Sequence, residues 1–199
     1  MGALPVLVAQ VSDLHLGDDP TATARAARVF AHLGAMATRL DALVLTGDLT
    51  DAGTDAAYAV LSGLLDAHLP GGPALVYCPG NHDERAAYQR FLAARGAPRD
   101  GVHRLPGLTV LALDTLVPGA PHGELGDAGA RRLWAELAAA PPDRPVVLAM
   151  HHPPVPVHSE WLDSMPLTDP ARLAAAIEAS GRRPDLVLTG HTHAATATA

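Results

Sequence analysis

The feature that most constrains this chain is a unit repeated along it: a short, nearly continuous apolar run followed at once by acidic, histidine or amide side chains. The runs fall at 4–11, 42–46, 74–78, 108–113, 146–150 and 186–189. Alternating polarity would mark strands with one wet face. Continuous apolar runs instead mark strands buried on both faces. Between the runs lie Ala-rich stretches with helical periodicity at 22–40, 55–68, 84–95, 128–139 and 170–180. In the first of these, Ala26, Val29, Phe30, Leu33 and Ala37 form one stripe, with Arg25, Arg28 and Arg39 elsewhere. Asp169-Pro170 reads as an N-cap with a first-turn proline, and Gly181 as the stop. Strands alternating with helices predict an α/β fold with mostly parallel crossovers. The segment 105–117 reads equally as the start of a hairpin or of a second sheet.

Composition narrows the class. At 199 residues the chain is the size of one domain. Hydrophobic residues make up 48% but aromatics only 4%, so Ala, Val and Leu must build the core. Charged residues at 18% exclude intrinsic disorder. The basic residues are all Arg, fourteen against twenty-one acids, and the net charge of −7 argues against gripping duplex nucleic acid. A single cysteine, Cys78, excludes an internal disulfide and a cysteine-based zinc site, and reads as a buried small hydrophobe. The apolar start lacks a basic region and a cleavage pattern, and no apolar run reaches the roughly 18 residues of a membrane span, so a cytoplasmic protein is expected.

The polar clusters after the runs carry the chemistry. They are Asp13-Leu14-His15, Gly47-Asp48-Leu49-Thr50-Asp51, Gly80-Asn81-His82-Asp83, His151-His152-Pro153-Pro154 and Gly190-His191-Thr192-His193. Ligands of open α/β sheets bind beyond the carboxyl ends of the strands, so these five loops should meet in one crevice. Asp13, His15, Asp48, Asn81, His151, His191 and His193 give seven oxygen and nitrogen donors. That is too many for one tetrahedral zinc with an open position. Two cations sharing a carboxylate would use them, and ions about 3.5–4 Å apart clamp both oxygens of a phosphoryl displacement. The glycines before Asp48, Asn81 and His191 let the backbone turn and approach closely.

In order and spacing, these motifs resemble the calcineurin-like metallophosphoesterases. Through Leu113-Asp114-Thr115, Pro118-Gly119 and His122-Gly123-Glu124 they resemble more closely the bacterial class III cyclic nucleotide phosphodiesterases. The resemblance implies a four-layer α-β-β-α sandwich over residues 1–193. It also implies one metal on Asp13, His15, Asp48 and His193, and a second on Asp48, Asn81, His151 and His191, with Asp48 bridging. Fe and Mn head the metals such donors accept, followed by Zn, Co or Mg.

The mechanism expected is attack by a hydroxide bridging the metals on a small-molecule phosphodiester, with cyclic nucleotides such as 3′,5′-cyclic AMP first. His82 is the candidate proton donor to the leaving oxygen, and Asp51 its orienting carboxylate. Asp51 has a second reading as the cap of the 55–68 helix or part of a turn. Asn81, His82, His122 and His152 are expected near substrate. Ordinary turn chemistry would equally explain His122, and a structural role His152.

Other readings are a glycerophosphodiesterase, a nucleotide pyrophosphatase, a phosphomonoesterase or a non-catalytic scaffold. The Ala/Thr-rich tail at 194–199 comes directly after His193, and the sandwich is expected to lack its last C-terminal strands. A homodimer is compatible with the sequence.

Overall fold

A computed structural model describes residues 5–95, 101–194 and 197. Most of the tail at 194–199, and the start of the first apolar run, lie outside the described residues. Strand β1 (Val8–Val11) leads into helix α1 (Pro20–Ala35). Next come β2 (Ala42–Thr46), α2 (Asp55–His68), β3 (Ala74–Cys78) and α3 (Arg85–Phe91). A second half comprises β4 (Val102–Leu105), β5 (Leu108–Ala112), α4 (Gly126–Ala138), β6 (Val146–Ala149), the single turn α5 (Glu160–Asp163), α6 (Pro170–Ser180) and β7 (Leu186–Leu188).

The strands form two sheets. One has the order β1-β2-β3, all parallel; the other has the order β4-β5-β6-β7. In the second sheet only the β4–β5 pair is antiparallel. Both readings of 105–117 are therefore realised: a β4–β5 hairpin opens the second sheet, with β4 as a strand whose mixed pattern hid it.

Strand side chains alternate between faces, and that alternation sorts the core into three apolar interfaces. Leu43, Leu45 and Tyr77 face α1–α3, packing with Phe30, Tyr58, Leu61 and Tyr88. Their neighbours Val44, Val76 and Cys78 face the other way, against Leu108, Val110, Ala112, Val147 and Ala149 of the second sheet. On that sheet's far side Leu111, Val146, Leu148 and Met150 meet Leu133 and Leu137 of α4 and Leu173 of α6. Three interfaces separate four layers, helices outside and two sheets within. This is the α-β-β-α sandwich expected, and it explains why the strand runs read as continuously apolar. Burying each Leu side chain contributes about 1.5–3 kcal/mol.

Two sequence expectations hold only in part here. Val29 does not join the buried stripe of α1; it is exposed, while Ala22, Ala26, Phe30 and Leu33 face inward. Asp169 does stand at the N-cap of α6 with Pro170 in its first turn, but its side chain makes no capping bond there. Its carboxylate instead accepts the Leu125 and Gly126 N–H groups at 2.9 and 3.0 Å, tying down the start of α4. Gly181 ends α6 in the left-handed region at φ 67°, as the sequence indicates.

Candidate metal centre

β1, β2 and β3 run parallel in one sheet, and β6 and β7 in the other, so their carboxyl ends deliver all five polar loops to one side. Cross-links hold the loops in register. Asp13 N–H and His15 N–H donate to the Gly47 and Asp48 carbonyls at 3.0 Å each. Gln10 Nε2 spans the two sheets, donating to Thr46 Oγ1 at 2.9 Å and to the Thr189 carbonyl at 2.8 Å. His191 N–H donates to the Asp13 carboxylate at 3.0 Å.

Backbone strain concentrates here. Among the described residues six non-glycine residues have positive φ, and Asp13, His15, Asp48, His191 and His193 are five of them. Each such residue costs about 1–3 kcal/mol and persists where its surroundings over-determine it. Gly47, at φ 91°, allows the turn into Asp48, and a Cβ there would lie 2.5 Å from His151 Nδ1. At Gly80 a Cβ would lie 2.2 Å from Asp48 Oδ1, so the close approach of these two loops depends on a missing side chain.

Donor atoms from Asp13, His15, Asp48 and His193 all lie within 4.8 Å of one another. Ligands about 2.0–2.2 Å from one cation are at most about 4.4 Å apart, so this envelope fits a single ion with slight contraction. His15 Nε2 is 3.1 Å from His193 Nε2 and 3.6 Å from Asp48 Oδ2. A second group gathers around His151 Nε2, which lies 3.2 Å from Asn81 Oδ1, 3.2 Å from His191 Nδ1 and 3.4 Å from Asp48 Oδ2. Its Nδ1–H donates to the Thr46 carbonyl at 2.8 Å, which leaves the Nε2 lone pair facing the cluster. Asp48 Oδ1 accepts the His82 N–H at 2.9 Å. Oδ2 therefore stands between the two groups.

Burial by itself would raise the Asp48 carboxyl. The hydrogen bond and charge of His151 and the His82 N–H outweigh it, holding the group well below the usual carboxylate range. For His151, burial opposes protonation, but Asp48 and Asp13 raise the imidazole above its ordinary value. Burial, then repulsion from His151, depresses His191.

His82 lies at the rim. Its Nδ1–H donates to the Asp51 backbone carbonyl at 2.7 Å, while the Asp51 carboxylate is 3.7 Å away. The orienting contact expected of the Asp51 carboxylate is thus made by that residue's main chain. The carboxylate itself sits 3.2 Å from His15 Nδ1. Asp51 caps nothing: Thr54 is the N-cap of α2.

Of the two readings of His152, the structural one fits and the substrate-facing one does not. The side chain is fully buried, with Nδ1 accepting from Thr115 Oγ1 at 2.8 Å and Nε2–H directed to the Pro121 carbonyl at 3.3 Å. Burial, then the neighbouring His151 and His191, pushes it down to about 3, so the ring is neutral and neither nitrogen is open to substrate or metal. It packs instead against the His151 and His191 rings at centroid distances of 4.9 and 5.0 Å. His122 is partly exposed two residues from Glu124, and the cavity beside His191 is lined without it among the described residues.

Sequence reasoning passed over Asp83, the last residue of Gly80-Asn81-His82-Asp83. Its buried carboxylate accepts from Leu49 N, Thr50 N, Gly80 N and Tyr58 OH at 3.2, 3.2, 3.0 and 2.7 Å. It fastens the Asp48 loop to the Asn81 loop. The motif itself carried the signal, because an acid beside donor residues is either a ligand or their support.

A sandwich whose strand ends gather paired imidazoles about a shared carboxylate defines a metal-dependent phosphoesterase class. The model of the calcineurin-like phosphoesterases matches residues 6–195, and the chain belongs to that family. Its relatives include a probable cyclic nucleotide phosphodiesterase of Rhodococcus erythropolis, 37% identical over 94% of this chain and 64% of the relative. A cAMP/cGMP dual specificity phosphodiesterase of Mycobacterium tuberculosis is 39% identical over 94% of this chain and 61% of its own length. A glycerophosphodiester phosphodiesterase of Enterobacter lignolyticus is 31% identical over 97% of this chain and 73% of its own. The chain thus spans about three fifths of the first two relatives. Among the described residues no helix is long and apolar enough to cross a membrane.

Proposed function

We propose that this chain carries a binuclear, metal-dependent phosphodiesterase site for small molecules, with cyclic nucleotides such as 3′,5′-cyclic AMP as its first substrate class. One observation carries the reading: Asp48 Oδ2 stands 3.6 Å from His15 Nε2 and 3.4 Å from His151 Nε2, between two groups of donors. The first ion would be held by Asp13, His15, Asp48 and His193, the second by Asp48, Asn81, His151 and His191. Fe and Mn suit these nitrogen and oxygen donors best. Bound there, two cations would neutralise developing phosphoryl charge and lower the pKa of coordinated water to about 7.

The chain's own residues do the rest. His151 is fixed in one tautomer by the Thr46 carbonyl, and Asp13 is held by the His191 N–H. His82, anchored through Nδ1, keeps Nε2 for a proton given to the leaving oxygen. The Asp51 carboxylate lies 3.7 Å from the same Nδ1. The names of the Rhodococcus and Mycobacterium relatives support cyclic nucleotides as the substrate class.

Metal analysis combined with diesterase assays tests this. Asn81→Ala is expected to lose metal, whereas His82→Ala keeps it and loses about 10²–10⁴-fold in rate. Equal activity and equal metal content in wild type and both variants would sink the reading. Turnover of monoesters alone would remove its diesterase part.

A further inference from the structure

Beside the metal centre lies a cavity of about 410 Å³, walled by residues 153–157 and by residues drawn from 162–170, with His191 between it and the donors. His191 belongs to both. Its Nδ1 lies 3.2 Å from His151 Nε2, while the ring lines the cavity. Its buried Nε2 has no hydrogen-bond partner. A phosphodiester whose phosphate sits on the donor cluster would therefore place its next atoms here.

The lining decides which atoms are welcome. Val155, Val157, Leu162, Met165, Leu167 and five prolines offer no polar side-chain group, and the hydroxyl of Thr168, which also lines the cavity, donates to the Gly123 carbonyl at 2.9 Å. Asp163 is the only acidic or basic residue among the lining residues besides His191. Both its oxygens are engaged, accepting Val157 N–H at 2.8 Å and Ser159 N–H at 3.1 Å. A polyol hydroxyl in this cavity would give up water with only His191 Nε2 and the Thr168 hydroxyl oxygen as side-chain replacements. A planar ring would bury apolar faces against proline and the Met165 thioether. The loop is built to hold a shape: Asp163 staples it on either side of His158, the sixth non-glycine residue with positive φ, at 61°. The volume lies within the roughly 300–1,000 Å³ of preformed small-molecule sites.

We infer that this cavity receives the base-bearing organic half of the phosphodiester, selecting a nucleoside over a glycerol-type alcohol, with Val157, Leu162 and Met165 as specificity-determining residues. The inference rests on the functional reading above and narrows its substrate class.

The test needs no turnover. The methyl-labelled chain, stripped of metal by chelator, is titrated with adenosine and separately with glycerol, and monitored by NMR. Adenosine should shift the Val157, Leu162 and Met165 methyls saturably, and glycerol should not. Leu162→Trp, which fills the cavity, should weaken adenosine binding at least about tenfold, a difference well resolved by titration. If that variant fails to fold, Val157→Ser reads the same wall by placing a hydroxyl in it. Adenosine shifts elsewhere, no shifts, or equal shifts with glycerol would overturn the assignment. Metal stoichiometry of the same preparation before stripping separates the two readings. Two bound ions without adenosine shifts defeat the subsite alone, whereas adenosine shifts in a chain that binds no metal support the subsite and defeat the metal reading.

Discussion

Two glycine-to-alanine substitutions, chemically identical, should move stability in opposite directions. At Gly80 the added Cβ would lie 2.2 Å from Asp48 Oδ1, 2.5 Å from the Asp48 backbone nitrogen and 2.8 Å from His151 Cε1. Relief requires separating the β3 end from the Asp48 turn by about 1 Å, judged against ordinary carbon contacts of about 3.5 Å. That movement strains the Gly80 N–H bond to Asp83 at 3.0 Å and the His82 N–H bond to Asp48 at 2.9 Å.

Overpacking costs about 1–3 kcal/mol and each bond to a charged group about 1.5–3 kcal/mol, so with partial relaxation we expect a loss of about 3–6 kcal/mol. At Gly63, inside α2, nothing lies within 4 Å of the added carbon. There alanine should stabilise by roughly 0.5–1 kcal/mol through helix propensity and a less entropic unfolded chain. Urea unfolding of wild type, Gly80→Ala and Gly63→Ala measures both, with metal titration as the second readout. Gly80→Ala should also lose metal affinity, because the crowded atoms belong to two candidate ligands. A Gly80→Ala variant within about 1 kcal/mol of wild type, binding metal normally, would refute the packing argument.

Two further outcomes rest on buried polar groups. His152 titrates near 3 in the folded chain but near its ordinary 6.5 when unfolded, so between those values the unfolded state binds the extra proton. Its contribution is intact above pH 6.5 and falls by about 1.4 kcal/mol per pH unit below it. Urea unfolding at pH 7.5 and 5.0 should show a shallower loss in His152→Gln than in wild type; parallel losses would contradict the burial assigned to this ring. Asp169→Ala orphans the Leu125 and Gly126 N–H groups at the start of α4 and should cost about 1–3 kcal/mol. A change in unfolding midpoint equivalent to less than about 0.5 kcal/mol would show those groups satisfied otherwise.

The apolar runs were legible because a strand covered on both faces must be apolar throughout, and Ala42–Thr46 is buried at every position. Val102–Leu105, an edge strand with partly exposed side chains, carried no such signature. The donors were legible for a related reason: short-range spacing fixes which residues stand just past a strand end, so Asp13 with His15, and His191 with His193, announced themselves. Direction in space was not legible. Whether a carboxylate serves its own helix or another, as Asp169 serves α4, depends on a neighbour 43 or 44 residues away. That His151 faces the donors, fixed by the Thr46 carbonyl, depends on how the second sheet packs against the first, and that His152 turns to Thr115 and Asp51 reaches His82 through its carbonyl depends on how neighbouring loops of one sheet meet. Sequence determines which groups are available at each strand end. Packing alone decides which lone pairs face one another, because a side chain's surroundings are set by contacts far along the chain.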